Sequence, residues 1–250
     1  MKQKSSRRGF LYASVAAGTG AMLVSCGGEK ASQTAQPVKQ PSPTATSEKG
    51  GEVTATEDLM REHGVLRRAL LVYTEAATKL RGSPWSVPPD ALQKTAKLFR
   101  AFGEEYHEKK LEEAYIFPAV KRAGGDAAKL ADILVTQHQR GREITDYILA
   151  VTQGSKLGLG TADQVAQALD SLVLMYRNHA AREDTIVFPA WKETLTAAEL
   201  DDMNDKFEDI EHEQFGEDGF EDAVKQMAAI EMSLGLEDLA QFTAPPPPKA

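Results

Sequence analysis

One pattern occurs twice in this 250-residue chain: a histidine, then, about forty residues on, a second histidine followed by a glutamate and FPAxK. It uses four of the five histidines. In the first copy His63 lies in LMREHGVLRR, and YHEKKLEEAYIFPAVK carries His107, Glu112, Phe117, Pro118 and Lys121. In the second, His138 lies in TQHQRGRE, and NHAAREDTIVFPAWK carries His179, Glu183, Phe188, Pro189 and Lys192. Alignment of Glu112 on Glu183 brings Phe, Pro, Ala and Lys into register without a gap. Two helical hairpins, each with two imidazoles and one carboxylate, are the parts of a two-metal site between the halves of a bundle.

Four segments between residues 53 and 195 show apolar residues at spacings of 3 and 4, separated by Pro-rich or Gly-rich breaks, and predict an all-α antiparallel bundle. A helix over about 56–81 places Leu59, His63, Leu66, Leu70, Tyr73, Ala77 and Leu80 on one stripe. A helix over about 126–153, with Asp126 as its expected N-cap, carries Leu130, Leu134, His138, Gly141, Thr145 and Ile148. A helix over about 161–191, starting at Thr161, carries Val165, Leu169, Leu172, Met175, His179, Glu183, Ile186 and Ala190. His179 and Glu183 are four apart and share a face.

The segment over about 89–122 is less regular. Its stripe of Leu92, Phe99, Phe102 and Tyr106 runs on to Lys110 and Glu113, whereas one added residue lands on Leu111 and Ala114. His107 and Glu112 are five apart, about 140° around a regular helix instead of about 40°. A one-residue π-bulge near Lys109 and Lys110 repairs both the stripe and the site. Without it Glu108, four before Glu112, becomes the rival ligand. The FPAxK prolines are read as stiffening or bending the helix ends.

A lone histidine on an apolar stripe is usually a hydrogen-bonded core residue. Four of them with two carboxylates, each costing about 1–3 kcal/mol if buried without a partner, point to metal coordination. Cys26 is the only cysteine, so the domain can form no internal disulfide and no thiolate site. Imidazole and carboxylate must serve.

The order His63, His107 with Glu112, His138, His179 with Glu183, together with the FP segments, resembles the hemerythrin-like HHE cation-binding family over about residues 54–193. The resemblance implies an up-down-up-down four-helix bundle holding two non-haem irons joined by an oxo or hydroxo bridge. It makes the four histidines terminal ligands and Glu112 and Glu183 bridging carboxylates. The five-residue spacing at Glu112 departs from the HxxxE form. Oxygen-carrying hemerythrins use five histidines, whereas the repeat here supplies four, which leaves each iron an open position suited to O2, NO or peroxide. His212 in FEDIEHEQFG is an additional ligand if the following helix covers the bundle mouth, and otherwise a surface histidine. A ferritin-like site wants two ExxH pairs; Glu104 and His107 form one, but Tyr176 stands before His179. A zinc hydrolase needs fewer ligands than these six.

The N-terminus, MKQKSSRRGFLYASVAAGTGAMLVSC, looks like a twin-arginine export signal with Arg7 and Arg8 as the pair, ending in a lipobox that directs lipidation of Cys26. Residues 27–52, rich in Ser, Thr, Pro, Gln and Gly, read as a flexible tether. The expected location is therefore the extracytoplasmic side of a bacterial cell envelope, with the domain held to a membrane through lipid. The twin-arginine route exports folded proteins and permits cytoplasmic cofactor loading. A formal net charge of -8 without a basic face argues against nucleic acid.

After Thr196, an expected N-cap, residues 196–243 read as one or two further helices with an acidic solvated face, docked through Met203, Phe207 and Ile210. Residues 244–250 are a Pro-rich end. Three functions are open at this level: capture or sensing of O2, NO or peroxide, with a signalling partner in the case of sensing; a redox enzyme with an unknown electron donor; and iron binding or delivery without gas chemistry. An enzyme needs a proton source at the open positions, for which Tyr106, Tyr176 and Glu108 are the candidates.

Overall fold

The computed structural model describes residues 53–83, 86–154, 157, 159–216 and 219–248. Arg7, Arg8, Cys26 and the tether fall outside the described residues. Helix α1 (Ala55–Gly82) starts where the Thr54 hydroxyl accepts the Glu57 amide, with acids in its first turn and Lys79 and Arg81 in its last. Both placements complement the helix dipole. All seven expected stripe residues of α1 are buried.

Helix α2 (Pro89–Leu98) opens on a proline that needs no amide partner in the first turn. It continues without a break into a π-helical segment, Phe99–Ile116, and then α3 (Phe117–Ala123). The irregularity expected near Lys109 and Lys110 is thus an 18-residue run, not a single bulge. Leu111 is buried as the shifted stripe requires, but Ala114 is exposed; Glu112, Ile116 and Phe117 turn inward instead.

Helix α4 (Gly125–Val151) is capped by Gly124, not Asp126. Gly124 and Gly125 both adopt positive φ, at 81° and 77°, so the reversal is complete before Asp126. That residue lies in the first turn and bonds Lys129 at 2.8 Å. The last expected helix divides into α5 (Leu159–Arg182), a second π segment (Glu183–Val187) and α6 (Phe188–Glu193). The wide turn rotates the residues beyond its start, so Val187 is fully buried and Ile186, expected on the stripe, is 37% exposed.

Ion pairs record the packing directions. Arg67 pairs with Asp184 and Arg81 with Asp170, so α5 and the second π segment run antiparallel to α1. Arg100 pairs with Asp146 and Lys121 with Asp132, so the first π segment and α3 run antiparallel to α4. Among the described residues every regular element is helical, and none of the helices is long and apolar enough to cross a membrane.

The acidic extension forms α7 (Ala197–Phe215), α8 (Gly219–Leu234) and a short 3-10 turn, Leu239–Phe242. Thr196 caps α7 in a reciprocal pair with Glu199. Phe207 stacks on buried Trp191 at 5.7 Å, and Ile210 is 8% exposed. Helix α8 lies against α1: Arg68 makes a two-pronged bond to Glu231 at 2.8 and 2.5 Å, and Arg61 lies 4.5 Å over the Phe220 ring.

Candidate metal centre

His63 on α1, His107 and Glu112 on the first π segment, His138 on α4, His179 on α5 and Glu183 at the head of the second π segment meet in the core. None is more than 3% exposed. The Nε2 atoms turn toward the two carboxylates. His107 Nε2 is 3.2 Å from Glu112 Oε1, and His138 Nε2 is 3.3 Å from Glu112 Oε2. His179 Nε2 is 2.9 Å from Glu183 Oε1, and His63 Nε2 is 3.5 Å from Glu183 Oε2. Three ligand-like groups result, each with its donor atoms within 4.8 Å of one another: His63, His107 and Glu112; His138, His179, Glu112 and Glu183; and, on the Nδ1 side of His138, Glu108, Glu113 and His138. Glu112 is common to the first two.

The Nδ1 atoms all face outward, each onto a fixed acceptor. His63 donates to Asp184 at 2.7 Å, His107 to Glu62 at 2.6 Å, His138 to Glu113 at 2.8 Å and His179 to Gln137 Oε1 at 2.9 Å. Such acceptors hold the proton on Nδ1 and aim Nε2 inward, the orientation that metal-binding imidazoles require. The four acceptors follow the repeat. Glu62 and Gln137 precede the first histidine of their copies, and each serves the second histidine of the same copy. Glu113 and Asp184 follow the glutamate, and each serves the first histidine of the other copy. An arginine four residues after each first histidine clamps these acids: Arg67 on Asp184, and Arg142 on Glu113 at 2.6 Å. Sequence reasoning missed all six residues, although EHxxxR, QHxxxR, EE and ED stand at matching positions of the two copies.

The wide turns explain the unequal spacings. In both copies the phenylalanine amide of FPA bonds the glutamate carbonyl five residues back, Phe117 to Glu112 and Phe188 to Glu183. Pro118 and Pro189 have no amide hydrogen, and their rings crowd the carbonyl four residues earlier, which a widened turn relieves. Where i to i+5 bonding persists the turn is wider, so residues five apart come nearer to one face than they do on an α-helix. His107 and Glu112 therefore share a face despite their spacing.

Both oxygens of Glu112, both oxygens of Glu183 and Nε2 of His107 are buried without a hydrogen-bond partner; the close approaches to imidazole nitrogen are out of line for such bonds. Orphaned carboxylates of this kind each cost more than a neutral group, and a cation between them removes the cost. The donor set of imidazole and carboxylate fits iron or a similar divalent ion. Without the cation, protons take its place. Burial opposes charge on His107, yet Glu112 and Glu62 outweigh it and hold the imidazole well above its ordinary range. His138 is likewise pushed up to about 10, against burial, by Glu108, Glu112 and Glu113. Burial opposes the Glu112 charge too, but His107 and His138 hold that carboxyl well below the usual range.

Glu108 stands apart from the Nε2 cluster. It accepts the Tyr176 hydroxyl at 2.7 Å and Arg142 at 3.1 Å, and its nearest approach to His138 is 3.9 Å, at Nδ1. The wide turn therefore brings Glu112, not Glu108, to the imidazole Nε2 atoms. His212 is exposed on α7 and belongs to none of the clusters among the described residues. Tyr106 donates to Glu62 at 2.9 Å, which directs its hydroxyl to the support of His107. A small cavity of about 10 Å³ lies within the centre, beside His63, His107 and His179. Leu66, Leu70, Ala180 and Tyr176 line it beside the ligating side chains, and its surface is almost wholly apolar.

These features define a helical protein that presents a buried histidine and carboxylate centre to cations. The hemerythrin HHE cation-binding domain model matches residues 54–191, and the chain belongs to that family. It is 47% identical over 205 residues to an uncharacterized protein of Mycobacterium bovis, and equally to uncharacterized proteins of two Mycobacterium tuberculosis strains; the match spans 80% of this chain and 78% of each relative. No solved structure matches it.

Proposed function

We propose that this is a lipid-anchored envelope protein in which an up-down-up-down four-helix bundle holds two non-haem irons that bind O2, NO or peroxide. His63, His107, His138 and His179 would hold the irons through Nε2, with Glu112 and Glu183 as the carboxylates they would share. Iron so held supplies a redox-active Lewis acid with open positions. One observation carries this reading: four imidazoles with anchored Nδ1 atoms turn their Nε2 atoms toward two carboxylates that have no other partner. The family supports metal binding.

Arg7 and Arg8 direct export in this reading, and Cys26 carries the lipid that fixes the domain to the extracytoplasmic face of a membrane. Glu108 and Tyr176 in the pocket wall support a second reading, a redox enzyme that draws on an external electron donor. The visible spectrum of the full chain, loaded with ferrous iron and then exposed to air, separates the two. A ligand-to-iron band that appears with oxygen and vanishes on its removal is expected for a carrier or sensor. Irreversible conversion to a ferric spectrum assigns redox turnover, and a chain that retains no iron contradicts both.

A further inference from the structure

The two copies of the repeat build the centre unequally. Among the described residues, His138, His179, Glu112 and Glu183 hold all four of their donor atoms within 4.8 Å of one another, whereas His63 and His107 form such a group with Glu112 alone. Spacings in the larger group are those of ligands already set around one ion. His138 Nε2 is 3.0 Å from His179 Nε2, His179 Nε2 is 2.9 Å from Glu183 Oε1, and His138 Nε2 is 3.3 Å from Glu112 Oε2. Donors about 2.1 Å from a cation stand about 3.0–3.4 Å apart along the edges of an octahedron or a tetrahedron. On the other side His107 Nε2 reaches Glu112 at 3.2 Å, but His63 Nε2 reaches its carboxylate, Glu183, only at 3.5 Å. The cavity is lined by both imidazoles of the smaller group and by His179 alone of the larger group's two, so the unfilled space borders the smaller group more closely.

Charge points the same way. Behind His63 and His107 stand Asp184, Glu62 and Arg67. Around His138 and His179 stand Glu113, Glu108, Arg142 and the neutral Gln137. Each set holds two carboxylates and one guanidinium, so the inner carboxylates decide, two in the larger group against one in the smaller. Cation affinity rises with the number and charge of the ligands and with the rigidity of the site. A cation in the larger group also opposes, by its charge, the entry of a second into the group beside it.

We propose that the centre loads in a fixed order: the first cation goes to His138, His179, Glu112 and Glu183, and the second goes to His63 and His107 with a share of Glu112. The order rests on the reading that the centre holds two cations. It makes the one-cation protein a defined state of the chain, in which the second position is filled, emptied or given a different divalent metal while the first stays occupied.

The test uses the full chain stripped of metal and titrated with cobalt(II), with visible absorbance to count bound ions and calorimetry to obtain the stepwise constants. Wild type should take up two equivalents in two resolved steps. His63→Ala and His138→Ala each remove the first histidine of one copy, and so are matched losses. His138→Ala should weaken the first step at least about tenfold, whereas His63→Ala should leave the first step as in the wild type and weaken only the second. If circular dichroism shows that either variant fails to fold, His107→Ala and His179→Ala repeat the comparison with the second histidines. Equal weakening of the first step by the two members of a pair overturns the order, and so does loss of that step in His63→Ala with its retention in His138→Ala. A wild type that binds no cobalt, or stops at one equivalent, overturns the two-cation reading itself, and this order with it.

Discussion

Glu62 shows how much of this centre depends on groups that face away from it. It accepts His107 Nδ1 and the Tyr106 hydroxyl at 2.6 and 2.9 Å, and thereby sets the ring that must present Nε2. Glu62→Ala should lower cation affinity about 10- to 100-fold, the usual effect of losing such a support; a competition titration against a chelator of known affinity measures it, and unaltered affinity would show that packing alone orients His107. Glu104 is the other buried group with a consequence outside the centre. Burial pushes its carboxyl up to about 7, assisted by Glu108 and opposed by the Thr145 hydroxyl, Arg100 and Arg142. Because the folded value lies above the unfolded one, the folded chain holds this proton more tightly. The stabilisation is therefore full below about 4.5 and is lost as pH rises through about 7, a contribution on the order of 3 kcal/mol. Glu104→Gln should flatten the fall in denaturant-measured stability between pH 5 and pH 7; a slope equal to that of the wild type would place the titration elsewhere.

The π segments are where element geometry and site geometry become the same question. Proline six residues after each glutamate widens the turn that presents it, and α3 and α6 then resume ordinary winding with Phe117 and Phe188 buried. Helix α6 carries Trp191, 1% exposed, whose ring stacks on Phe207 of α7 and so couples the second wide turn to the extension. Trp191→Ala should cost about 3–5 kcal/mol and lower Tm by roughly 10 °C. Calorimetry of the metal-free chain tests this, and a drop of only a degree or two would mean that α7 does not brace the bundle.

Across the folded body, the orphaned carboxylates make the metal-free chain less stable than its architecture permits. A cation bound only by the folded state adds about 2.7 kcal/mol when its free concentration is 100 times Kd. Iron loading should therefore raise Tm by several degrees, and Glu183→Ala should lose most of that gain along with iron occupancy. Thermal scans with and without metal check this, and full occupancy with an undiminished gain in Glu183→Ala would remove the bridging role proposed for Glu183.

Much of this was legible in the chain because periodicity is local. The stripe of α1, the cap at Thr196, the inward face of Phe207 and Ile210 on α7, and the placing of each histidine on the buried face of its own helix follow from residue type and spacing along one helix, and the repeat of the pattern adds that these faces meet. The need for a wide turn at His107 and Glu112 was readable too, since five residues do not close on an α-helical face. Its length was not, and neither was the second wide turn, where the His179 to Glu183 spacing already satisfied an ordinary helix and only the burial of Val187 over Ile186 reveals the shift. The acceptors behind the imidazoles escaped for a related reason. Asp184 serves His63, and Glu113 serves His138, across the interface between repeats, and no spacing within one helix encodes a partner on another. The fit of the Tyr176 hydroxyl over Gly141 is the extreme case: it comes from the close approach of α4 and α5, which packing sets and linear order does not.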